Sequence, residues 1–210
     1  MPCFPFTSKQ QKKSRLNIAL YRRPGQPDAY EWTFIITPKP TDPPTSTRGD
    51  PSNPTPLARF GVYDYPYRRE DGTMSEERRV ERGEVLDIEC EGGLHVLVTV
   101  GKICSSTAVL EDVLRTKVPV YQAAEVGEGE GGRLDSVQWI GDALEVLRKG
   151  GVVTGTSAVT GKEPAWGPLR EEVEGFAERM LGPERDEVGW YGEEGTPCWD
   201  VLDGRVFAIT

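Results

Sequence analysis

One histidine, four cysteines and a surplus of acids set what chemistry this chain could carry. His95 is the only imidazole in 210 residues, which excludes most histidine-rich zinc sites and makes any histidine-dependent mechanism hang on one residue. Cys3, Cys90, Cys104 and Cys198 are scattered with no CxxC pair, the usage expected of cytosolic thiols rather than of a disulfide framework. Cys104 and Cys198 read as small buried residues, because no motif around either would activate a thiol. Neither DxDxDG nor HExxH occurs, so no metal is expected. Residues 127–132 (GEGEGG) lack the Gly-Lys-Ser/Thr ending of a phosphate cradle, and Glu128 and Glu130 would repel phosphate. Thr154-Gly155-Thr156-Ser157 and Gly161-Lys162 match that motif too loosely to count, and no cofactor is expected. Asp and Glu number 34 against 25 Lys and Arg, for a net charge of −9. That balance argues against nucleic acid and anionic membrane as partners, since binding them by counterion release needs a basic surplus. No apolar run approaches the ~20 residues of a bilayer span, and the opening MPCFPFTSKQQKK lacks a signal peptide's apolar core, so a cytoplasmic protein is expected.

The elements that would position these groups follow from hydrophobic periodicity. Residues 1–14 are polar and basic and read as a disordered arm. Strands are expected at Leu16–Tyr21, Tyr30–Thr37 and Arg59–Tyr65, each rich in β-branched or aromatic residues. Seven prolines fall within 38–56, which reads as a surface insertion in a single domain over 15–210, its Arg48-Gly49-Asp50 a chance tripeptide. Residues 68–84 are charged and read as a loop. Leu86–Cys90 and Leu94–Lys102, flanking Gly92-Gly93, read as a hairpin. Ser105 and Ser106 offer hydroxyl caps for a short helix with Val109, Leu110, Val113 and Leu114 on one face. A helix from about Asp135 to Arg148 follows, with Val137, Ile140, Leu144 and Leu147 at helical spacing, and another over Pro168–Leu181. A strand at Arg205–Ile209 ends the chain. Strands, then helices, then a strand, without βαβ alternation, indicate an α+β fold: a small, mostly antiparallel sheet packed against two or three helices.

Several islands across roughly 16–148 carry a resemblance. Leu16–Tyr21, the Tyr30-Glu31-Trp32 strand ending in Thr37-Pro38-Lys39, Gly101-Lys102-Ile103 and the helix opening Asp135-Ser136-Val137-Gln138-Trp139 together resemble a family of uncharacterised fungal proteins with a domain of unknown function. That family is distantly similar to papain-like folds of the NlpC and lecithin:retinol acyltransferase type. Its strand reads Tyr-His-Trp and its helix opens Asn-Cys-Val-x-Trp. The resemblance implies a nucleophile at a helix N-terminus, where free N–H groups stabilise a thiolate and an oxyanion, beside a strand histidine that shuttles the proton. Here the nucleophile position is Ser136 and the histidine position is Glu31. A thiol near ~8.5 can be brought below neutrality by a helix terminus and a cation, whereas a serine hydroxyl cannot be ionised by a dipole effect of ~0.3–1 kcal/mol. Serine would need an oriented base, and His95 is the only imidazole on offer.

If the strands pair as the resemblance implies, Glu31, Asp64, Asp135 and Gln138 converge, and Tyr30, Trp32, Phe60, Tyr63 and Trp139 line an aromatic cleft for a flat ligand. The bland alternatives are a helix-start Ser136, solvent-facing Glu31 and His95, and aromatics that are simply core. Three functions are then expected in descending order. The first is a binding or scaffolding pseudoenzyme for a small-molecule or protein ligand. The second is a small-molecule enzyme of fungal secondary metabolism, a cyclase, isomerase or hydrolase using carboxylate acid/base chemistry. The third is a surviving Ser136 hydrolase or acyltransferase. The candidate catalytic residues are thus Glu31, His95, Asp135 and Ser136, and the candidate ligand-binding residues are Tyr30, Trp32, Tyr63, Asp64, Gln138 and Trp139.

Overall fold

Leu16–Tyr21, apolar but for Asn17, is a strand buried on both sides. In the computed structural model, β1 (Arg15–Arg23) is the central strand of the sheet, with Leu16, Ile18 and Leu20 packed into one hydrophobic core and Ala19 and Tyr21 into a second. A strand covered on both faces needs no polar alternation, which is why it reads as continuous. The structure describes residues 13–23, 26–38, 56–86, 88, 91–120, 131–158, 160–181 and 195–209, and of these the side chains of 26–29, 76, 131–135, 181 and 209 are not described. The expected arm (except 13 and 14) and the proline-rich insertion (except 38 and 56) lie outside those residues.

β1 pairs antiparallel with β2 (Gln26–Thr37), which leads on to the long hairpin of β3 (Leu57–Arg68) and β4 (Met74–Val85). On its other side β1 pairs with β5 (Leu94–Ile103), which also takes the two-residue β6 (Val153–Thr154). β7 (Thr196–Asp200) joins β5 in parallel, and β8 (Arg205–Ile209) follows antiparallel to it. The order is β4-β3-β2-β1-β5-β7-β8. Helices α1 (Thr107–Thr116), α2 (Gly131–Lys149) and α3 (Trp166–Leu181) contribute Leu110, Leu114, Ile140, Leu144, Val173 and Phe176 to the same core as Leu16 and Leu20. The opposite face of the sheet carries no helix among the described residues. Its smaller core holds Ala19, Tyr21, Ile35, Val85, Ile88, Leu97 and Cys198.

The architecture is α+β and mostly antiparallel, as expected, but dominated by an eight-stranded sheet rather than a small one. Much of the difference is β4. Its sequence MSEERRVERGEV shows few apolar residues because it is an edge strand, where charges discourage pairing with another chain. Of its described side chains only Arg78, Val80 and Val85 are buried. The expected hairpin over 86–102 is also corrected. β5 is a strand, but its partners are β1, β6 and β7, and no strand occurs among the described residues of 86–90. Ile88 instead caps the helix-free core, and a turn through Gly93, whose φ of 81° suits glycine, leads into β5. Ser106 caps α1 as expected, its Oγ accepting from the Val109 N–H at 3.3 Å.

Candidate functional site

The nominated residues divide between the two faces of the sheet. β2 does pack beside α2: Phe34 and Trp139 lie 5.8 Å apart, and Trp166 meets both Gly141 and, edge-on at 5.9 Å, Trp32. Because Phe34 faces Trp139 while Trp32 is reached through Trp166 and Gly141, the Tyr-Glu-Trp triplet lies beside the middle of α2 rather than its first turn. Tyr30, Trp32 and Trp139 are all buried in the main core. Ser136 is 5% exposed, and neither its Oγ nor Trp139 Nε1 has a hydrogen-bond partner among the described residues. Gln138 is exposed and donates to Asp142 one turn on, at 2.8 Å. Asp135 stands at the start of α2, and its side chain is outside the description. Asp64 accepts from Arg78 Nε at 2.7 Å on the β3–β4 hairpin.

His95 owes its place to a bulge. Leu20 pairs with Val96 and Tyr21 with Leu94, so His95 is the extra residue on β5, and a bulge of this kind re-aims the side chain it inserts. Its ring stacks on Tyr30 at 5.6 Å and 8°, and Nε2 lies 3.0 Å from the Ala177 carbonyl of α3. A carbonyl oxygen can only accept, so Nε2 carries the proton. Nδ1, 3.5 Å from an Arg22 nitrogen that can only donate, is the acceptor. The imidazole thereby ties the sheet to α3.

Glu31 faces the other way. Across the sheet it is paired with Tyr21, whose side chain lies in the helix-free core. Phe34↔Phe60 and Ile35↔Arg59 set the β2–β3 register, and that register continued past the end of the ladder brings Tyr63 opposite Glu31. Tyr63 is thereby near enough to Glu31 for the carboxylate's charge to bear on its phenol. Arg59 Nη1 donates to Glu91 at 2.6 Å, and its guanidinium lies 5.3 Å from the centre of the Tyr21 ring. Tyr21 donates to the same Glu91 oxygen at 3.3 Å. Two glycines make room. A Cβ on Gly61 would stand 3.0 Å from the Tyr63 hydroxyl, and one on Gly83 would stand 3.3 Å from Arg59 Nε. Beneath them, Thr33 is fully buried and its Oγ1 has no partner among the described residues.

Burial, and then the charge on Glu91, raise the Tyr21 phenol from 10.0 to about 12 against the opposing influence of the nearby Arg59 guanidinium. Burial, followed by the charge on Glu31, holds Tyr63 above its ordinary range as well. Both phenols therefore keep their protons at neutral pH and act as donors, not bases. Two carboxylates, one guanidinium, two phenols and an unpartnered hydroxyl share this half-open face, an arrangement suited to recognition and containing no activated nucleophile. No group of three or more His, Cys, Asp or Glu placed to hold a metal occurs among the described residues.

A sequence model of a family of unknown function, DUF6914, matches residues 13–207. The chain belongs to that family. No curated protein and no solved structure matches it. The DUF6914 match begins two residues before β1 and ends within β8, so it takes in both faces of the sheet. Of the six residues of this cluster, Glu31 and Tyr63 are legible as candidates in the sequence, whereas Tyr21, Thr33, Arg59 and Glu91 are not. The available signal is the alternation Arg59-Phe60-Gly61-Val62-Tyr63, which sets a cation, a glycine and a phenol on one side of a strand.

Proposed function

We propose that this chain is a binding or scaffolding module, on an α+β fold of papain-like ancestry in which Ser136 and Glu31 stand where a cysteine and a histidine once worked. Its ligand face is the helix-free side of the sheet around Glu31, Arg59 and Tyr63. The observation that carries this reading is the separation of the parts a hydrolase would need. Ser136 is buried without a partner among the described residues, His95 has its Nε2 proton committed to the Ala177 carbonyl, and Glu31 lies through the sheet from both. Nucleophilic catalysis requires the hydroxyl and its base within hydrogen-bond reach of each other. Incubating the full chain with a fluorophosphonate tests this. The intact mass should be unchanged, and an adduct on Ser136 would overturn the reading.

The half-buried Glu31, set opposite Tyr63 by the sheet register, favours a second reading, a small-molecule enzyme in which this carboxylate moves a proton. Its signature would be turnover that Glu31→Gln removes while the fold stays intact.

A further inference from the structure

The sheet ends on two unlike edges. β4, at one end of the order, is charged at seven of its twelve positions (MSEERRVERGEV), and such a row discourages another strand from pairing with it. β8, at the other end, reads RVFAI, with neither a proline nor a charge after Arg205. Its ladder with β7 runs through all five pairs without a bulge, and no strand pairs with it on the far side among the described residues. An edge strand turns the N–H and C=O of every second residue outward, ready to accept a further strand. Val206 is 43% exposed, although Trp199, opposite it on β7, packs against Phe176 of α3. We infer that β8 is an interface between copies of this chain: two β8 strands pair antiparallel about a two-fold axis at Phe207, continuing the sheet from one copy into the other.

Sequence, charge and closure all select a second copy as the occupant. An axis at Phe207 sets that residue against its own counterpart, Val206 opposite Ala208 and Arg205 opposite Ile209. Opposed residues share a face of the sheet. The Phe207 pair therefore lies on the helix-free side, where Phe207 already packs against the smaller core. The Val206–Ala208 pair, formed twice, covers the exposed valine on the other side. Arg205 opens the strand beside Asp203, at 3.2 Å. Antiparallel pairing holds the two guanidiniums four residues apart, roughly 14 Å along the strands, whereas parallel pairing would set them side by side. Pairing β8 with the β4 of another copy would leave an edge open at each end and grow a fibre, and the charges of β4 oppose it. β8 on β8 closes at two copies. A five-residue strand pair buries less than the ~1,200 Å² of the smaller stable interfaces, so the association is weak and depends on concentration.

Sedimentation velocity of the full chain tests this over roughly 10 μM to 1 mM, the concentrations at which weak interfaces form. The sedimentation coefficient should rise toward that of a dimer and no further. Val206→Lys puts a cation opposite each Ala208, twice per dimer, and should weaken the association about tenfold or more. Because Val206 is exposed, the thermal melt of the dilute variant should match that of the parent. Amide hydrogen exchange of the unaltered chain gives a reading that needs no variant: protection should grow with concentration within 205–209 and stay constant along β4. A monomer over the whole range would overturn the proposal. So would association undiminished by Val206→Lys, protection that appears on β4 instead, or growth past the dimer into fibres. None of these outcomes bears on the ligand face around Glu31.

Discussion

Replacing Gly141 by alanine sets two effects of known size against each other. In the interior of a helix alanine is favoured over glycine by about 0.8–1 kcal/mol. At Gly141 the new Cβ would overlap Trp166 Nε1 and stand 2.5 Å from its Cδ1 and 2.7 Å from its Cε2. The indole is rigid and wedged edge-on against buried Trp32, so α3 must shift to relieve the overlap. Overpacking of this kind costs about 1–3 kcal/mol, and three close contacts with one rigid ring place it in the upper part of that range. The clash therefore wins, by about 1–2 kcal/mol. At 2–4 °C per kcal/mol for a chain of this size, the melting temperature should fall by roughly 2–8 °C. Gly175→Ala in α3 is the control. Its Cβ would meet only the mobile end of Arg179, at 3.4 Å, so the helix preference should appear as a rise of roughly 1–4 °C. Thermal unfolding followed by circular dichroism measures both. A gain for Gly141→Ala equal to that for Gly175→Ala would refute the close packing of Trp166 on α2.

Asn17 bridges three strands, donating to the Ile35 carbonyl and Thr37 Oγ1 at 3.0 Å and accepting from Thr99 at 2.6 Å. Asn17→Ala should lower stability by about 2–4 kcal/mol in a urea titration, because buried partners are left unpaired; a loss well under 1 kcal/mol would contradict the network. Asp200 is raised above its ordinary 3.8 by burial and then by the charge of Asp203. Its contribution is thus fully present below about pH 4 and fades as pH rises through the folded value. Asp200→Asn keeps an acceptor for the Leu202 and Asp203 N–H groups, so melting temperatures should show the variant gaining on the parent between acid and neutral pH; the opposite trend would reverse the assignment. Ser136→Ala should leave stability unchanged or raise it by about 1 kcal/mol, since it removes a buried hydroxyl that has no partner among the described residues, and marked destabilisation in a thermal melt would mean that the hydroxyl is bonded.

How much of this was legible in sequence depended on how each element meets water. Strands β1, β2, β3 and β5 and all three helices show their apolar periods because at least one face is buried. β4 escaped notice because an edge strand can be charged and still hydrogen-bond one neighbour. β7 escaped because Thr196-Pro197-Cys198-Trp199-Asp200 is short and carries a proline. The site was harder still. In a strand, Glu31 and Trp32 necessarily point to opposite faces, so adjacency in the Tyr-Glu-Trp triplet separates them in space. The orientation of His95 depends on a bulge, a pairing irregularity that has no local sequence mark. Arg59, Glu91 and Tyr21 come from three distant segments and meet only through the sheet register.

The lone histidine allows a direct test of the claim that this fold carries no working nucleophile–base pair. In a long-range nitrogen–proton correlation spectrum the imidazole gives a single, unambiguous pattern. The account predicts a neutral ring protonated on Nε2, unaffected by Ser136→Ala. A ring protonated on Nδ1, with Nε2 an unprotonated acceptor that responds to Ser136→Ala, would contradict it.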